Sequence, residues 1–217
     1  MIKAALFDFD GTIADTLPVC VEAFRQTVEP VLGRRLSLED VRAYFGPTED
    51  GIFETHFPDQ KDELLDVYYK RYAALQAKVV ETVPGIVELI RALKKKGVRV
   101  ALITAKGAVS CRISLDFYGI TNDFEHIEVG GSGGRVKDLA ITRVLSQMNV
   151  RPEEAVYIGD SPKDVISAHK ANVASWSAAW LKTAEPEKIL ANQPERIFYS
   201  VDDLRIALEE EVGALDC

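Results

Sequence analysis

Residues 2–16, IKAALFDFDGTIADT, decide how this chain is read. An apolar run, Ala4 to Phe7, ends in two carboxylates, Asp8 and Asp10, one residue apart, and Gly11 and Thr12 then turn the chain. Burying an ionised carboxylate is costly unless it is paired, hydrogen-bonded or bound to a metal. This strand end is therefore a solvated turn or a site. If the chain stays extended, the two carboxylates point the same way, with Cα atoms roughly 6–7 Å apart. Carboxylates that close take different roles when their environments differ, one ionised and the other protonated.

Outward from this stretch, short apolar runs alternate with helical patterns. Residues 2–8, 98–104 (VRVALIT), 125–129 (EHIEV), 155–159 (AVYIG) and 174–178 (ASWSA) read as strands. Between them, PGIVELIRALKKKG opens with Pro84 near its first turn and closes on three lysines and Gly97, which suits the helix dipole and a left-handed C-cap. Pro152 fits a helix start and Gly119 a helix stop. Strand, helix, strand in repetition predicts an α/β fold with a parallel sheet covered on both faces.

One region breaks the rhythm. From about Leu17 to Lys78 helical patterns follow one another without a strand, among them SLEDVRAYF, where Ser37 is placed to cap its helix. This predicts a helical insertion directly after the first strand, hinged near Thr16 and Pro18 at one end and at the ETVPG segment at the other. The glycine-rich stretch 129–136, VGGSGGRV, matches no phosphate-binding fingerprint and reads as a solvent loop.

The chain has 217 residues, 47% hydrophobic and 28% charged, enough for a sizeable core in one domain or one domain with an insertion. Its net charge of −8 is spread among interspersed acids and bases, so no footprint for nucleic acid or anionic lipid is present. An anionic substrate must be drawn in by local charge. Cys20, Cys111 and Cys217 are far apart and lack metal-ligand spacing, which predicts free thiols in a reducing compartment. The first residues resemble no signal peptide and no apolar run approaches the ~20 residues of a membrane span, so a cytoplasmic protein is expected.

Ligands of parallel sheets bind at the carboxyl ends of the strands. Four of these ends carry polar chemistry here: Asp8 and Asp10, then Thr104, then Lys137 just beyond the third strand, then Asp160 and Asp164 in GDSPKD. A helix starting near Ser161 brings Asp160 and Asp164 to its first turn, and clustered oxygen ligands suit Mg²⁺. Mg²⁺ and the Lys137 ammonium would set three positive charges against roughly four negative ones from Asp8, Asp160 and a dianionic phosphate. Thr104 adds a hydroxyl donor for a phosphoryl oxygen. Taken singly, Thr104 is a local cap, Lys137 a solvated lysine and GDSPKD a helix cap. In order, with the DFDGT stretch at the head, they make a set for phosphoryl transfer through an aspartyl phosphate.

FDFDGTIADT, LIT ending at Thr104, Lys137 and GDSPKD resemble the four ordered motifs of the haloacid dehalogenase-like hydrolase superfamily, and the likeness spans essentially the whole chain. The insertion resembles the small helical cap of the subgroup that includes phosphoglycolate phosphatases, sugar phosphate phosphatases and β-phosphoglucomutases. The resemblance implies a Rossmann-like doubly wound core at residues 1–16 and 81–217 and a cap domain at 17–80. It implies that Asp8 attacks phosphorus in line and that Asp10 protonates the leaving alcohol, then deprotonates the hydrolytic water. It implies further that Asp8, the Asp10 carbonyl and Asp160 hold Mg²⁺ with Asp164 orienting the metal shell. Thr104 and the amide at Ala105 would bind the phosphoryl group, and Lys137 would neutralise it. Two positions depart from the pattern. Asp138 follows Lys137 where proline is common, and Ala105 and Lys106 stand where an asparagine-containing turn is usual. Lys106, beside Thr104, is a poor substitute for Lys137.

The expected activity is a Mg²⁺-dependent phosphatase acting on a small phosphorylated metabolite, phosphoglycolate phosphatase-like, as a monomer or small homo-oligomer. The loop FGPTEDGIF, Phe45 to Phe53, is equally a specificity loop or a plain interhelical turn, and Arg42 is a further candidate for a substrate anion. Two alternatives stay open in the sequence. A phosphomutase of the same family keeps Asp8 and Asp10. A signalling receiver domain also sets a phosphorylatable aspartate, acidic ligands, a threonine and a lysine at strand ends, but needs neither the second aspartate nor the insertion.

Overall fold

The computed structural model describes residues 1–79, 82–131 and 137–216. The strands are β1 (Ala4–Phe7), β2 (Arg99–Ile103), β3 (His126–Glu128), β4 (Ala155–Gly159), β5 (Ala174–Ala178) and β6 (Arg196–Phe198). They form one parallel sheet in the order β3-β2-β1-β4-β5-β6. Five strands lie where the sequence places them, and β6 is an addition. It is three residues long and sits at the sheet edge, too short to show a period.

Helices cover both faces. α1 (Leu17–Leu32), α2 (Leu38–Tyr44), α3 (Glu49–His56) and α4 (Lys61–Val79) follow β1, and α5 (Ile86–Lys95) precedes β2. The remaining helices are α6 (Ala108–Tyr118), α7 (Lys137–Met148), α8 (Pro162–Lys170), α9 (Pro186–Leu190) and α10 (Val201–Val212). Successive strand residues face opposite ways, and the core divides accordingly. Ala5, Phe7, Val100, Leu102 and Ile158 pack with Leu89 and Leu93 of α5 and Leu204 of α10. Ala4, Leu6, Ala101, Ile103 and Tyr157 pack with Ile141 and Val144 of α7 and Ala168 of α8. Burial on both faces is why these strands are continuous apolar runs rather than alternating ones.

The helix ends follow the sequence signals. Ser37 caps α2 in a reciprocal box with Asp40, each side chain bonded to the other residue's amide, and Gly119 ends α6 at φ 63°. The insertion is helical as expected, with no strand among its described residues. α1 and α4 pack together, and Phe24, Tyr44, Phe53 and Tyr68 form its aromatic centre, with ring centroids 5.1 Å apart for Phe24 and Tyr44 and 6.0 Å for Phe53 and Tyr68. Cys20 and Cys111 are free thiols, while Cys217 and most of the glycine-rich stretch lie outside the described residues. Among the described residues no helix is long and apolar enough to cross a membrane.

From β1 the chain builds outward to β2 and β3, then returns through α7 to β4 on the other side of β1. The strand order reverses between β1 and β4, and a crevice opens at their carboxyl ends.

Candidate active site

Asp8 is the first residue beyond β1, and its amide still pairs with Ile158 of β4 at 2.8 Å. The chain then leaves the extended form: Ile13 N–H donates to the Phe9 carbonyl at 2.8 Å, and Gly11 takes φ 84°. Trp180 Nε1 braces this turn by donating to the Thr12 carbonyl at 3.2 Å. The same-way projection expected of an extended Asp8–Asp10 pair is therefore replaced by two separate ion pairs. Asp8 Oδ2 meets Lys137 Nζ at 2.8 Å, and Asp10 Oδ1 meets Lys106 Nζ at 3.0 Å and accepts from Thr16 Oγ1.

Lys137 opens α7, and Asp138 after it does not keep it from Asp8. Its ammonium also donates to Asp164 Oδ1 at 2.5 Å, with the Asp164 side chain 1% exposed. Burial would lower the Lys137 pKa, but Asp164 and Asp8 together hold it well above the usual lysine value. Asp164 is buried too, which pushes its carboxyl up, yet Lys137 and Ser161 outweigh that and keep it below the usual range. Its Oδ2 accepts from Ser161 N at 3.0 Å and Ser161 Oγ at 2.6 Å, closing a capping box at the start of α8. Tyr157 adds a contact to Oδ1 at 3.3 Å. Both oxygens of Asp164 thus accept hydrogen bonds from protein groups.

Asp160 follows β4 directly. A Cβ on Gly11 would lie 1.9 Å from Asp160 Oδ2, so the turn after Asp10 closes against this carboxylate only because residue 11 is glycine. Asp8, Asp160 and Asp164 each offer an oxygen within 4.8 Å of the others. Burial pushes the Asp8 carboxyl up to about 6 against the pull of Lys137, and burial followed by the charges of Asp164 and Asp8 raises Asp160 well above its usual value. Asp8 Oδ1 is buried and makes no hydrogen bond among the described residues. An orphaned carboxylate oxygen beside a second raised carboxyl is a donor set that fits a divalent cation.

Thr104 directly follows β2, buried, with its amide on the Glu128 carbonyl at 2.9 Å and its Oγ1 accepting from Lys106 N at 3.2 Å. Ala105 is exposed beside it. Lys106 is the residue sequence reasoning passed over. Its ammonium, 2% exposed, lies 4.8 Å from the centre of the Tyr72 ring and 5.8 Å from that of Phe9 while paired to Asp10. Burial opposes that charge, but Asp10 outweighs it and Lys106 stays protonated well above its usual value. The only hint in the sequence was a lysine where a side-chain amide is usual, 96 residues from its partner.

A cavity of about 300 Å³ adjoins the site. Asp10, Ala105, Lys106 and Lys163 line it from the sheet side, and Phe45, Thr48, Glu49, Ile52 and Tyr68 from the helical insertion. The loop singled out in the sequence, Phe45 to Phe53, therefore supplies a wall, whereas Arg42 does not line it.

Acidic groups and two buried lysines, Lys106 and Lys137, are gathered at the switch point of a doubly wound parallel sheet. The chain belongs to the haloacid dehalogenase-like hydrolases, whose family model matches residues 5–178. It is similar to a protein of Caldanaerobacter subterraneus named a putative pyrophosphatase PpaX, at 29% identity over 94% of this chain and 91% of that one. Pyrophosphatase PpaX of Anoxybacillus flavithermus is 25% identical over 87% of this chain and 92% of its own. Among solved structures, CbbY from Rhodobacter sphaeroides in complex with phosphate aligns at TM-score 0.77, with 24% identity over 94% of this chain and 96% of that one. The fold is shared with that structure, and the chain is a hydrolase of the haloacid dehalogenase-like family.

Proposed function

We propose that this protein hydrolyses a small phosphomonoester in two steps through Asp8, with magnesium as its cation. The observation that carries the reading is the division of labour on Asp8: Oδ2 is held by Lys137 at 2.8 Å, while the buried Oδ1 makes no hydrogen bond among the described residues. One oxygen is anchored and the other is left for chemistry. Asp8, the Asp10 carbonyl and Asp160 would hold the cation, which supplies positive charge against the phosphoryl oxygens when bound. Asp164 keeps Lys137 directed at Asp8.

In the first step an Asp8 oxygen bonds to phosphorus and the bond from phosphorus to the ester oxygen breaks. Asp10, ionised in its pairing with Lys106, first takes up a proton from solvent and then gives it to the departing oxygen. In the second step water attacks the same phosphorus, Asp10 takes a proton from it, and Asp8 leaves as carboxylate. The pairing with Lys106 and Thr16 gives Asp10 a fixed position for both transfers. Thr104 and the amide at Ala105 receive the phosphoryl oxygens, and Lys137 balances their charge.

Residues 1–16 and 81–217 act as the catalytic core and 17–80 as a cap over the leaving group, a division supported by the cavity lying between the two sets of residues. The free thiols Cys20 and Cys111 fit a reducing, cytoplasmic setting. The test is phosphate release from a panel of phosphomonoesters and pyrophosphate, with Mg²⁺ and with a chelator. The reading expects metal-dependent turnover of at least one ester and its loss in Asp8→Asn. Turnover absent throughout, or indifferent to the chelator, overturns it.

A further inference from the structure

We propose that Glu49 selects the leaving group: it latches the helical insertion to the sheet at Gly107, and its charge turns away leaving groups that carry a second anionic centre, pyrophosphate included. This rests on the phosphatase reading above. Glu49 is the first residue of α3, and its Oε2 accepts from the Gly107 amide at 3.1 Å, a contact spanning 58 residues of chain. The fit is close on both sides. A Cβ at Gly107 would stand 2.1 Å from Glu49 Oε2, and a Cβ at Gly130 would stand 2.2 Å from the Ala105 carbonyl and 2.5 Å from Thr48 Cγ2. The corner formed by Thr48 and Glu49 thus rests in a notch floored by two glycines, next to the loop that carries Ala105 and Lys106.

Glu49 also lines the cavity where the leaving group must sit, beside Asp10. Four charged side chains line that space, Asp10 and Glu49 against Lys106 and Lys163. Lys106 is already engaged: its ammonium is 3.0 Å from Asp10 and packed against Tyr72 and Phe9. The other lining residues include Leu17, Ile52 and Tyr68. An anionic leaving group would meet the like charge of the half-buried Glu49 carboxylate, while the other lining cation, Lys163, is exposed and its attraction is screened by solvent. A neutral, hydroxylated leaving group meets an acceptor instead. A carboxylate has about four lone-pair sites, and among the described residues the Glu49 side chain accepts a single hydrogen bond, from the Gly107 amide. The substrate class is therefore a monoester of an uncharged polyol.

The experiment compares kcat/KM for pyrophosphate and for glycerol 2-phosphate in the wild type, Glu49→Gln and Gly107→Ala, all with Mg²⁺. Glu49→Gln keeps an acceptor for the Gly107 amide and removes the charge, so the pyrophosphate-to-glycerol-phosphate ratio should rise about tenfold or more, mainly through a lower KM for pyrophosphate. Gly107→Ala displaces only the far end of a flexible side chain and keeps the charge. It should raise KM for both substrates and leave their ratio within about threefold. A ratio unchanged in Glu49→Gln, or shifted equally by Gly107→Ala, overturns the proposal. Calorimetric binding of both compounds to Asp8→Asn, with and without Glu49→Gln, reads the same charge selection without turnover. Failure of the phosphatase reading is thereby separated from failure of this one, and an unchanged affinity ratio refutes it.

Discussion

Replacing Asp164 by alanine is expected to lower the melting temperature of the metal-free protein by about 8–16 °C. Asp164 is 1% exposed and receives the Lys137 ammonium, itself 10% exposed, at 2.5 Å. Removing one partner of a buried ion pair costs about 3–5 kcal/mol, and the lower end applies here because Asp8 remains beside Lys137. The same substitution deletes the acceptor for Ser161 N and Oγ at the start of α8, a cap worth about 1 kcal/mol. Together these give about 4 kcal/mol, at roughly 2–4 °C per kcal/mol for a chain of this size. Ser161→Ala is the control. It removes the hydroxyl from the cap, leaves the Lys137 contact intact, and should cost only about 1 kcal/mol. Scanning calorimetry with a chelator present measures both. If Asp164→Ala melts no lower than Ser161→Ala, the ion pair is not what holds this strand end together.

Gly11→Ala forces a side chain into φ 84° and places a Cβ 1.9 Å from Asp160 Oδ2, so the Asp160 carboxylate must move. A Mg²⁺ titration of phosphate release should then show an apparent affinity roughly 10- to 100-fold weaker, and an unchanged titration would detach Asp160 from the cation. At the opposite end of the strands, Glu154 is held down to about 2 by hydrogen bonds from Arg151 and then Lys3. Its folded pKa lies below its unfolded value of 4.5, so this contribution to stability is present above about pH 4.5 and lost as pH falls towards 2. Urea midpoints of the wild type should approach those of Glu154→Gln between pH 5 and about pH 3. Midpoints that stay equally far apart would show that the pairing does not bear on folding.

The central strands were legible because β1, β2 and β4 are buried on both faces and therefore print as unbroken apolar runs. β6 was not, since Arg196–Phe198 is three residues at an edge, where neither length nor period distinguishes a strand from a loop. Asp8, Lys137, Asp160 and Asp164 could be singled out in the sequence because each follows directly on a strand or lies in the first turn of a helix at the same end of the sheet. Their partners were less visible. That Lys106 holds Asp10 and Glu49 reaches Gly107 depends on the packing of the helical insertion, which no local spacing encodes. Asp164 was expected to orient the metal shell, and the contacts of its oxygens with Ser161, Tyr157 and Lys137 arise from the packing of α7 and β4 around the start of α8, which no local spacing encodes.

The most direct test of the account is intact-protein and peptide mass spectrometry of Asp10→Asn after mixing with a phosphomonoester and Mg²⁺. With the proton carrier gone, the account predicts one phosphoryl group retained on the peptide that contains Asp8, and none when Asp8→Asn is added. Full phosphatase activity in the Asp8→Asn protein, with no adduct in Asp10→Asn, would contradict it.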